Sequence, residues 1–216
     1  GIISFLPIRV SNCTIVGNGY DPGNPIQTGI RILTNEPNSC EIINSIVRGN
    51  YGSGQIFVQY PGTTHANYCN IEGIGSVLSY SGTGNIDDDP NFADSYFDEN
   101  SHLIVYGEDF HLKSVAGRYN LATGSWVNDS ITSPCIDTGD PNSDYSLETD
   151  PSGTGINMGA YGGTIYASRS PNGPRAYCSN YVPADLNMDC KVNFLDVAVI
   201  AASWLDCHLV PASACS

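Results

Sequence analysis

The sequence predicts a mainly β protein whose first part is a parallel β-helix, and three observations support this prediction. Short apolar segments recur at 1–5, 29–33 and 55–59, at intervals of 28 and 26 residues. No helical periodicity longer than one turn occurs before Phe194. Gly and Tyr are plentiful while charged residues make up only 14% of the chain, a balance typical of β-rich proteins.

A second set of apolar segments follows the first, so two strands are predicted in each repeat unit. These segments are 14–17, 45–48 and 69–72, and each leads into a turn rich in Gly or Asn. Repeats of this length form stacked coils that bury a shared interior, whereas a β-sandwich with similar strands is the alternative. The predicted columns of stacked side chains are Ile2, Ile30 and Ile56; Val16, Val47 and Ile71; and Thr14, Ser45 and Cys69.

Composition divides the chain into three parts. Residues 1–86 hold the repeats and are predicted to form about three coils. Residues 87–170 are rich in Asp, Gly and Pro and are predicted to form a loop-rich cap region. Residues 171–216 are predicted to be a linker, marked by two prolines and a glycine, followed by a small α-helical calcium module.

A calcium loop is predicted at residues 185–196. Oxygen ligands recur there at positions 1, 3, 5, 7, 9 and 12 of a twelve-residue loop, which is the spacing that wraps a hard cation. An apolar run from Phe194 to Leu205 follows and is predicted to be the exiting helix. The predicted ligands are Asp185, Asn187, Asp189, Lys191 through its carbonyl group, Asn193 and Asp196.

Eight cysteines predict an oxidising compartment, because four of them lie within the last 39 residues, where a small module needs covalent support. The spacing favours disulfides between Cys178 and Cys190 and between Cys207 and Cys215. A zinc site is the competing interpretation, although the sequence has no CxxC pair. The pairing of the other cysteines stays open; they are Cys13, Cys40, Cys69 and Cys135.

The net charge of −14 limits the partners that the chain can bind. Such a charge opposes binding to nucleic-acid phosphates and to anionic membrane surfaces, and no apolar run reaches transmembrane length. Cations and neutral polysaccharides suit it better. We therefore expect a secreted protein, extracellular or at the cell surface, whose export signal lay upstream of the given sequence.

Several runs carry a resemblance to known families. DDDPNFAD, DFHLKS, SPCIDTGDPNSDYSLE and GINMGAYGGT resemble the C-terminal region of secreted bacterial right-handed parallel β-helix proteins, the pectate-lyase-like superfamily. The calcium loop resembles one half of a dockerin, but the second loop is missing and Cys190 replaces the usual Gly at position 6. This resemblance implies a cohesin-like protein as partner, and the missing loop favours self-association instead.

No pattern in the sequence predicts an active site. Arg48 is expected to form an ion pair with Glu72 on the next coil, and three consecutive acids, 87–89, are expected to shape a turn. The four histidines stand apart from one another, and structural roles are expected for them; they are His65, His102, His111 and His208.

The sequence therefore predicts a non-catalytic extracellular structural or adhesion protein. The alternatives are the C-terminal part of a polysaccharide lyase or glycoside hydrolase, and a carbohydrate-binding module. The apolar strand at Ile2, Ile3 and Phe5 lacks the charges that blunt natural sheet edges, so we expect it to be covered by upstream coils or by a second copy.

Overall fold

A computed structural model of the 216-residue chain separates into two compact units, Gly1–Pro174 and Arg175–Ser216. The first unit holds the elements described below. The structure describes residues 1–18, 29–50, 54–60, 63–73, 80–98, 103–107, 109–172, 192, 194, 196 and 197.

Nine short parallel strands form the first half of unit 1. Each strand spans only two to four residues, which is typical of a chain that turns repeatedly around a narrow interior. The strands are β1 (Ile2–Ser4), β2 (Arg9–Ser11), β3 (Thr14–Val16), β4 (Ile30–Ile32), β5 (Cys40–Ile43), β6 (Ile46–Arg48), β7 (Ile56–Val58), β8 (Thr64–Asn67) and β9 (Asn70–Ile71).

These strands stack as three coils in a parallel β-helix-like arrangement. The first sheet has the order β1-β4-β7, the second β2-β5-β8 and the third β3-β6-β9, and all of the pairings are parallel. A partial fourth coil follows, because Ser81 forms a parallel bridge with His65 and Ile86 forms one with Asn70. The prediction of a mainly β chain with stacked parallel strands is confirmed.

Each coil contains three strands, whereas the sequence analysis predicted two. The missed strands are those of the second sheet, β2, β5 and β8. Their sequences alternate polar and apolar residues over only three or four positions, as in Arg9-Val10-Ser11. A run this short gives little periodic signal, and its polar members resemble those of a loop.

The predicted columns are confirmed in the first sheet and need a shift of one residue in the third. Ile2 pairs with Ile30, and Ile30 with Ile56, as expected. In the third sheet the residue level with Val47 and Ile71 is Ile15, not Val16. Likewise Thr14 is level with Ile46 and Asn70, so it does not share a column with Ser45 and Cys69.

The coils enclose an apolar interior. Alternate residues of every strand point inward, so the three coils bring branched side chains directly above one another. Burial of this continuous apolar surface is the main stabilising contribution to the coils. Its fully or nearly fully buried members include Val10, Ile15, Ile30, Ile32, Ile42, Val47, Ile56, Val58, Ala66 and Ile71.

A sharp bend separates the second strand of each coil from the third. The residue at the bend adopts the left-handed conformation in all three coils, with φ near 50° at Asn12, Asn44 and Tyr68. Asn tolerates this conformation better than most residues, whereas Tyr rarely adopts it. The equivalent bend is therefore preserved from coil to coil although its residue changes.

The region from residue 87 to residue 170 packs against the outer face of the third sheet. It contains two antiparallel hairpins, β10 (Ser95–Asp98) with β11 (Leu103–Tyr106) and β12 (Arg118–Asn120) with β13 (Ser125–Val127). The outward side chain of Ile46 is fully buried in a second apolar cluster supplied mostly by this region. The cluster also contains Phe92, Leu112, Cys135, Ile136 and Met158.

Hydrogen bonds from the bend residues fix this region in place. Asn44 donates from its Nδ2 to Ser143 Oγ at 2.9 Å and accepts at its Oδ1 from the Asp140 N–H at 2.7 Å. Asn12 donates from its Nδ2 to the carbonyl oxygen of Gly162 at 3.1 Å. Asn12 and Asn44 therefore each shape a coil and also bind a loop of the cap region.

Few residues of the second unit are described. Phe194, Asp196 and Val197 are helical, and the carboxyl-bearing Asp196 is buried while Phe194 is exposed. The predicted ligands at 185, 187, 189, 191 and 193 lie outside the described residues, as do the cysteines of both predicted disulfides. In the part of the chain that the structure describes, no helix is long and apolar enough to cross a membrane.

The four cysteines of the first unit are free thiols. Cys40, Cys69 and Cys135 are buried, and Cys13 is partly buried. Burial raises the pKa of Cys69 and of Cys135 to about 12, so both stay protonated. These residues pack as small apolar groups, and none of them forms a disulfide.

Replacing Asn44 with Ala is expected to destabilise the first unit by about 2–4 kcal/mol. The change removes two hydrogen bonds, each contributing about 1 kcal/mol, and places in the left-handed region a residue that adopts it at a cost of about 1–2 kcal/mol. Asn44→Gly is the matched control, because glycine keeps the backbone conformation and loses only the hydrogen bonds. Denaturant unfolding measures both, and equal losses would contradict the role of the bend.

Candidate functional site

A row of polar side chains lies on the outer face of the second sheet. Arg9 pairs in register with Glu41, Glu41 with His65, and His65 with Ser81 of the partial fourth coil. Successive residues of a strand point to opposite faces, and the neighbouring residues in these strands fill the interior. The row therefore faces outward, across four stacked segments of the chain.

Three members of the row, Arg9, Glu41 and His65, line an open groove of about 610 Å³. The groove wall is formed by residues that precede the strands as well as by the strands themselves, and it is mostly polar. The lining residues are Pro7, Ile8, Arg9, Asn38, Ser39, Cys40, Glu41, His65 and Asn67.

Arg9 and Glu41 form an ion pair at one end of the row. Arg9 Nε lies 3.0 Å from Glu41 Oε2, and the two side chains are 66% and 40% exposed. An ion pair this exposed contributes less than about 1 kcal/mol to stability. The pair therefore orients two charged groups in the groove and adds little to the stability of the coils.

His65 lies next to Ser81 towards the other end of the row, and both of its ring nitrogens form hydrogen bonds. Its Nε2 lies 2.9 Å from Asn38 Oδ1, and its Nδ1 lies 2.7 Å from Ser81 Oγ. An amide oxygen can only accept, so this network assigns the ring proton to Nε2. Nδ1 then accepts the hydrogen bond that the Ser81 hydroxyl donates.

The groove presents alternating hydrogen-bond donors and acceptors at the spacing of the strands, which suits a polymer rich in hydroxyl groups. It is less suited to hydrolysis of a glycosidic bond, which uses two carboxyl groups on either side of that bond. Among the described residues that line the groove, Glu41 is the one carboxylate.

Arg48 does not form the predicted ion pair with Glu72. Its guanidinium donates to Asp87 Oδ1 at 2.7 Å and to Asn70 Oδ1 at 2.9 Å. Glu72 instead accepts from the Gly49 N–H at 2.6 Å. In the third sheet, Arg48 of β6 pairs with Val16 of β3. On the other side of β6, the pairing with β9 ends at Ile71, one residue before Glu72 would lie level with Arg48.

The three consecutive acids do not converge on one point. Asp87 pairs with Arg48, while Asp89 accepts from the Asn91 N–H at 2.8 Å in a local turn. The backbone carbonyl of Asp88 accepts from Asn70. The three residues thus shape the chain reversal before Pro90.

His111 is fully buried in the cap region, away from the groove. Its Nδ1 lies 2.5 Å from Asp109 Oδ1, and its ring stacks on Tyr161 with a centroid distance of 3.6 Å. Burial lowers the pKa of His111 despite the neighbouring Asp109 carboxylate. A buried neutral imidazole held on two sides contributes to packing. His102 and His208 lie outside the described residues.

The described residues contain no cluster of three or more His, Cys, Asp or Glu side chains suited to a metal ion. Of the six predicted calcium ligands, Asp196 alone is described, so the loop stays a prediction.

The sequence analysis missed the groove because it missed the second sheet. Arg9, Glu41 and His65 are separated by 32 and 24 residues, and an apolar or small residue follows each of them. Each of the three polar residues lies three positions before a bend residue, at Asn12, Asn44 and Tyr68. Aligning the repeats on these bends would have placed the three polar residues in one column.

Comparison with known proteins gives one family. The profile of a family described as "Disaggregatase related" matches residues 27–139, just over half of the chain. No curated protein and no solved structure matches. The pectate-lyase-like and dockerin resemblances thus receive no support from the comparisons.

Replacing Asp87 with Ala is expected to destabilise the first unit by about 1–2 kcal/mol. Arg48 is 9% exposed and would lose a charged partner, although 37% exposure of Asp87 reduces the loss below that of a fully buried pair. Asp88→Ala removes an equal charge from the adjacent exposed side chain and is expected to change stability by less than about 0.5 kcal/mol. Thermal unfolding of both variants tests this difference; equal effects would contradict it.

Proposed function

Because the chain belongs to the disaggregatase-related family, we propose that it is a non-catalytic polysaccharide-binding domain of an extracellular or cell-surface protein. The family description names a relation to a disaggregatase, a word for a protein that separates aggregates. A polymer that holds aggregates together is the class of ligand that this relation suggests. The proposed role is adhesion to such a polymer.

The observation that carries this proposal is the polar row in the groove of the second sheet. Arg9 and Glu41 offer charged hydrogen-bonding groups on a rigid surface, and His65, held by Asn38 and Ser81, lies in register with them on the next coil. A site on stacked strands holds its geometry without ordering a loop, which lowers the entropic cost of binding. The family match covers the coils that contribute Glu41, His65 and Ser81.

Charge favours a neutral polysaccharide over an acidic one. The chain carries a net charge of −14, which repels polyanions at long range. The one arginine of the groove is already paired with Glu41. Hydroxyl groups of a neutral sugar can bind to this pair without separating the two charges.

The terminal module extends the proposal. We propose that Asp185, Asn187, Asp189, the Lys191 carbonyl, Asn193 and Asp196 bind one calcium ion, on the strength of their loop spacing. Such a module would attach the chain to a cohesin-like protein or to a second copy of itself. The calcium loop and the groove are independent parts of the proposal.

Changes in the groove test the polysaccharide proposal. Arg9→Ala and Glu41→Ala are expected to weaken binding of a neutral polysaccharide at least about tenfold each, since each removes an exposed charged group that hydrogen-bonds to sugar hydroxyls. Arg31→Ala is the matched control, because Arg31 lies on the neighbouring first sheet with its guanidinium over Phe57. The affinity of the Arg31→Ala variant for the polysaccharide should stay within about twofold of the wild-type affinity.

Affinity electrophoresis against a panel of neutral and acidic polysaccharides measures these changes. Equal binding by all three variants would remove the groove from the proposal. Release of reducing ends or of unsaturated products by the wild-type chain would favour a hydrolase or a lyase over a binding domain.

Replacing Asp189 with Asn is expected to weaken calcium binding by the terminal loop at least about tenfold, because the loop loses one of its charged oxygen ligands. Isothermal titration of the metal-stripped chain gives the stoichiometry and affinity. Lys191→Arg is the control, since residue 191 contributes only its carbonyl oxygen. Identical titrations of the wild type and Asp189→Asn would contradict the proposed loop.

A further inference from the structure

Glu148 lies buried in the cap region with one carboxylate oxygen satisfied and the other not. The residue is only 6% exposed. Its Oε1 accepts from the N–H of Asn157 at 2.9 Å and from the N–H of Gly163 at 2.8 Å. Its Oε2 is buried and has no hydrogen-bond partner. Such an oxygen loses its hydration without a replacement.

A second carboxylate of the same region has the same defect. Asp137 accepts a short hydrogen bond from the Ser170 hydroxyl at Oδ2, while its Oδ1 is buried and has no partner. Gly153, with φ +72°, packs so closely against this carboxylate that a Cβ atom there would overlap it. The space around Asp137 therefore depends on a residue without a side chain.

Asn157 connects the two acids. Its N–H donates to Glu148, and its Oδ1 accepts from the N–H of Asp137 at 2.9 Å. Burial raises the pKa of Glu148 to about 7, two backbone N–H groups oppose this rise, and the charge of Asp137 adds to it. Burial also raises the pKa of Asp137. The charge of Asp137 thus disfavours ionisation of Glu148.

No cationic side chain among the described residues forms an ion pair with either acid. Buried carboxylates are normally paired with a cation, ligated to a metal or protonated. A proton on one of the two acids leaves the orphaned oxygen of the other without a partner. Two orphaned oxygens on acids that are joined through Asn157 are therefore an arrangement that a bound cation would resolve.

We propose that Asp137 and Glu148 bind a divalent cation of the calcium type in the cap region, separate from the loop at 185–196. The donors are carboxylate oxygens, which hard cations prefer, and no thiol or imidazole is included. A cation of this type would also need backbone carbonyls and water as further oxygen ligands. The ion would tie the segment around Asp137 to the segment around Glu148, and so stabilise the cap region on the coils.

The proposal predicts how the stability of the first unit depends on pH, with and without calcium. Without the ion, the pKa of Glu148 in the folded state, about 7, lies above its ordinary value of 4.5. Its stabilising contribution is therefore fully present below pH 4.5 and is lost as the pH rises through 7. Calcium should restore stability at pH 8, above the pKa of Glu148, where the Glu148 carboxylate is ionised. It should have little effect at pH 5, where a proton occupies Glu148.

The test measures the melting temperature of the full chain carrying Asp189→Asn, because this change weakens calcium binding by the terminal loop and so reduces its contribution. At pH 8, calcium at about 100 times its dissociation constant is expected to raise the melting temperature by about 5–10 °C relative to chelator. Adding Glu148→Gln or Asp137→Asn should abolish the rise. Asp144→Asn, an exposed acid in the same segment, should retain it.

Two results would overturn the proposal. One is a calcium-induced rise that is unchanged in Glu148→Gln. The other is no rise in the parent at pH 8 together with greater stability of Glu148→Gln than of the parent, since this means that a proton alone resolves the pair. Glu148→Gln is nearly isosteric with protonated Glu148 and is expected to fold. Equilibrium dialysis with Tb³⁺ on the same variants gives a readout that does not depend on melting.

Discussion

The left-handed bend between the second and third strands of each coil is the constraint on which the first unit depends. Asn12, Asn44 and Tyr68 all adopt it, so the second and third sheets meet at the same angle in every coil. The side chains of Asn12 and Asn44 then bind loops of the cap region. A single backbone conformation therefore sets the register of the coils and the position of the region that covers the third sheet.

Because of this constraint, the inward and outward residues of the second sheet lie in two separate, regular rows. The inward residues Val10, Ile42 and Ala66 are buried and supply the core, while the outward residues are set in a row by the same register. The Arg9–Glu41 pair is too exposed to stabilise the coils appreciably. The outward row is therefore held in register by the same coils whose core the inward residues supply, although the Arg9–Glu41 pair adds little to stability.

The sequence predicted the fold more completely than the site, for physical reasons. The first sheet repeats a strong apolar pattern, so Ile2, Ile30 and Ile56 could be aligned in advance. The third sheet was misaligned by one residue in the first coil, because the alignment followed apolar residues and not the bend. The site depends on hydrogen bonds from His65 to residues 27 and 16 positions away, which become neighbours only when the coils stack.

The cap region obeys a different rule, because its loops lack the apolar repeat of the coils. Side chains that bind backbone groups hold it together: Ser168 donates to the carbonyl of Leu112, and Asn157 donates to that of Ser168. A region fixed by many polar contacts is sensitive to any polar group left without a partner. The orphaned oxygens of Asp137 and Glu148 are therefore more consequential here than on the groove surface, where water satisfies such groups. An ion at this point would act on the same loops that the bend residues hold.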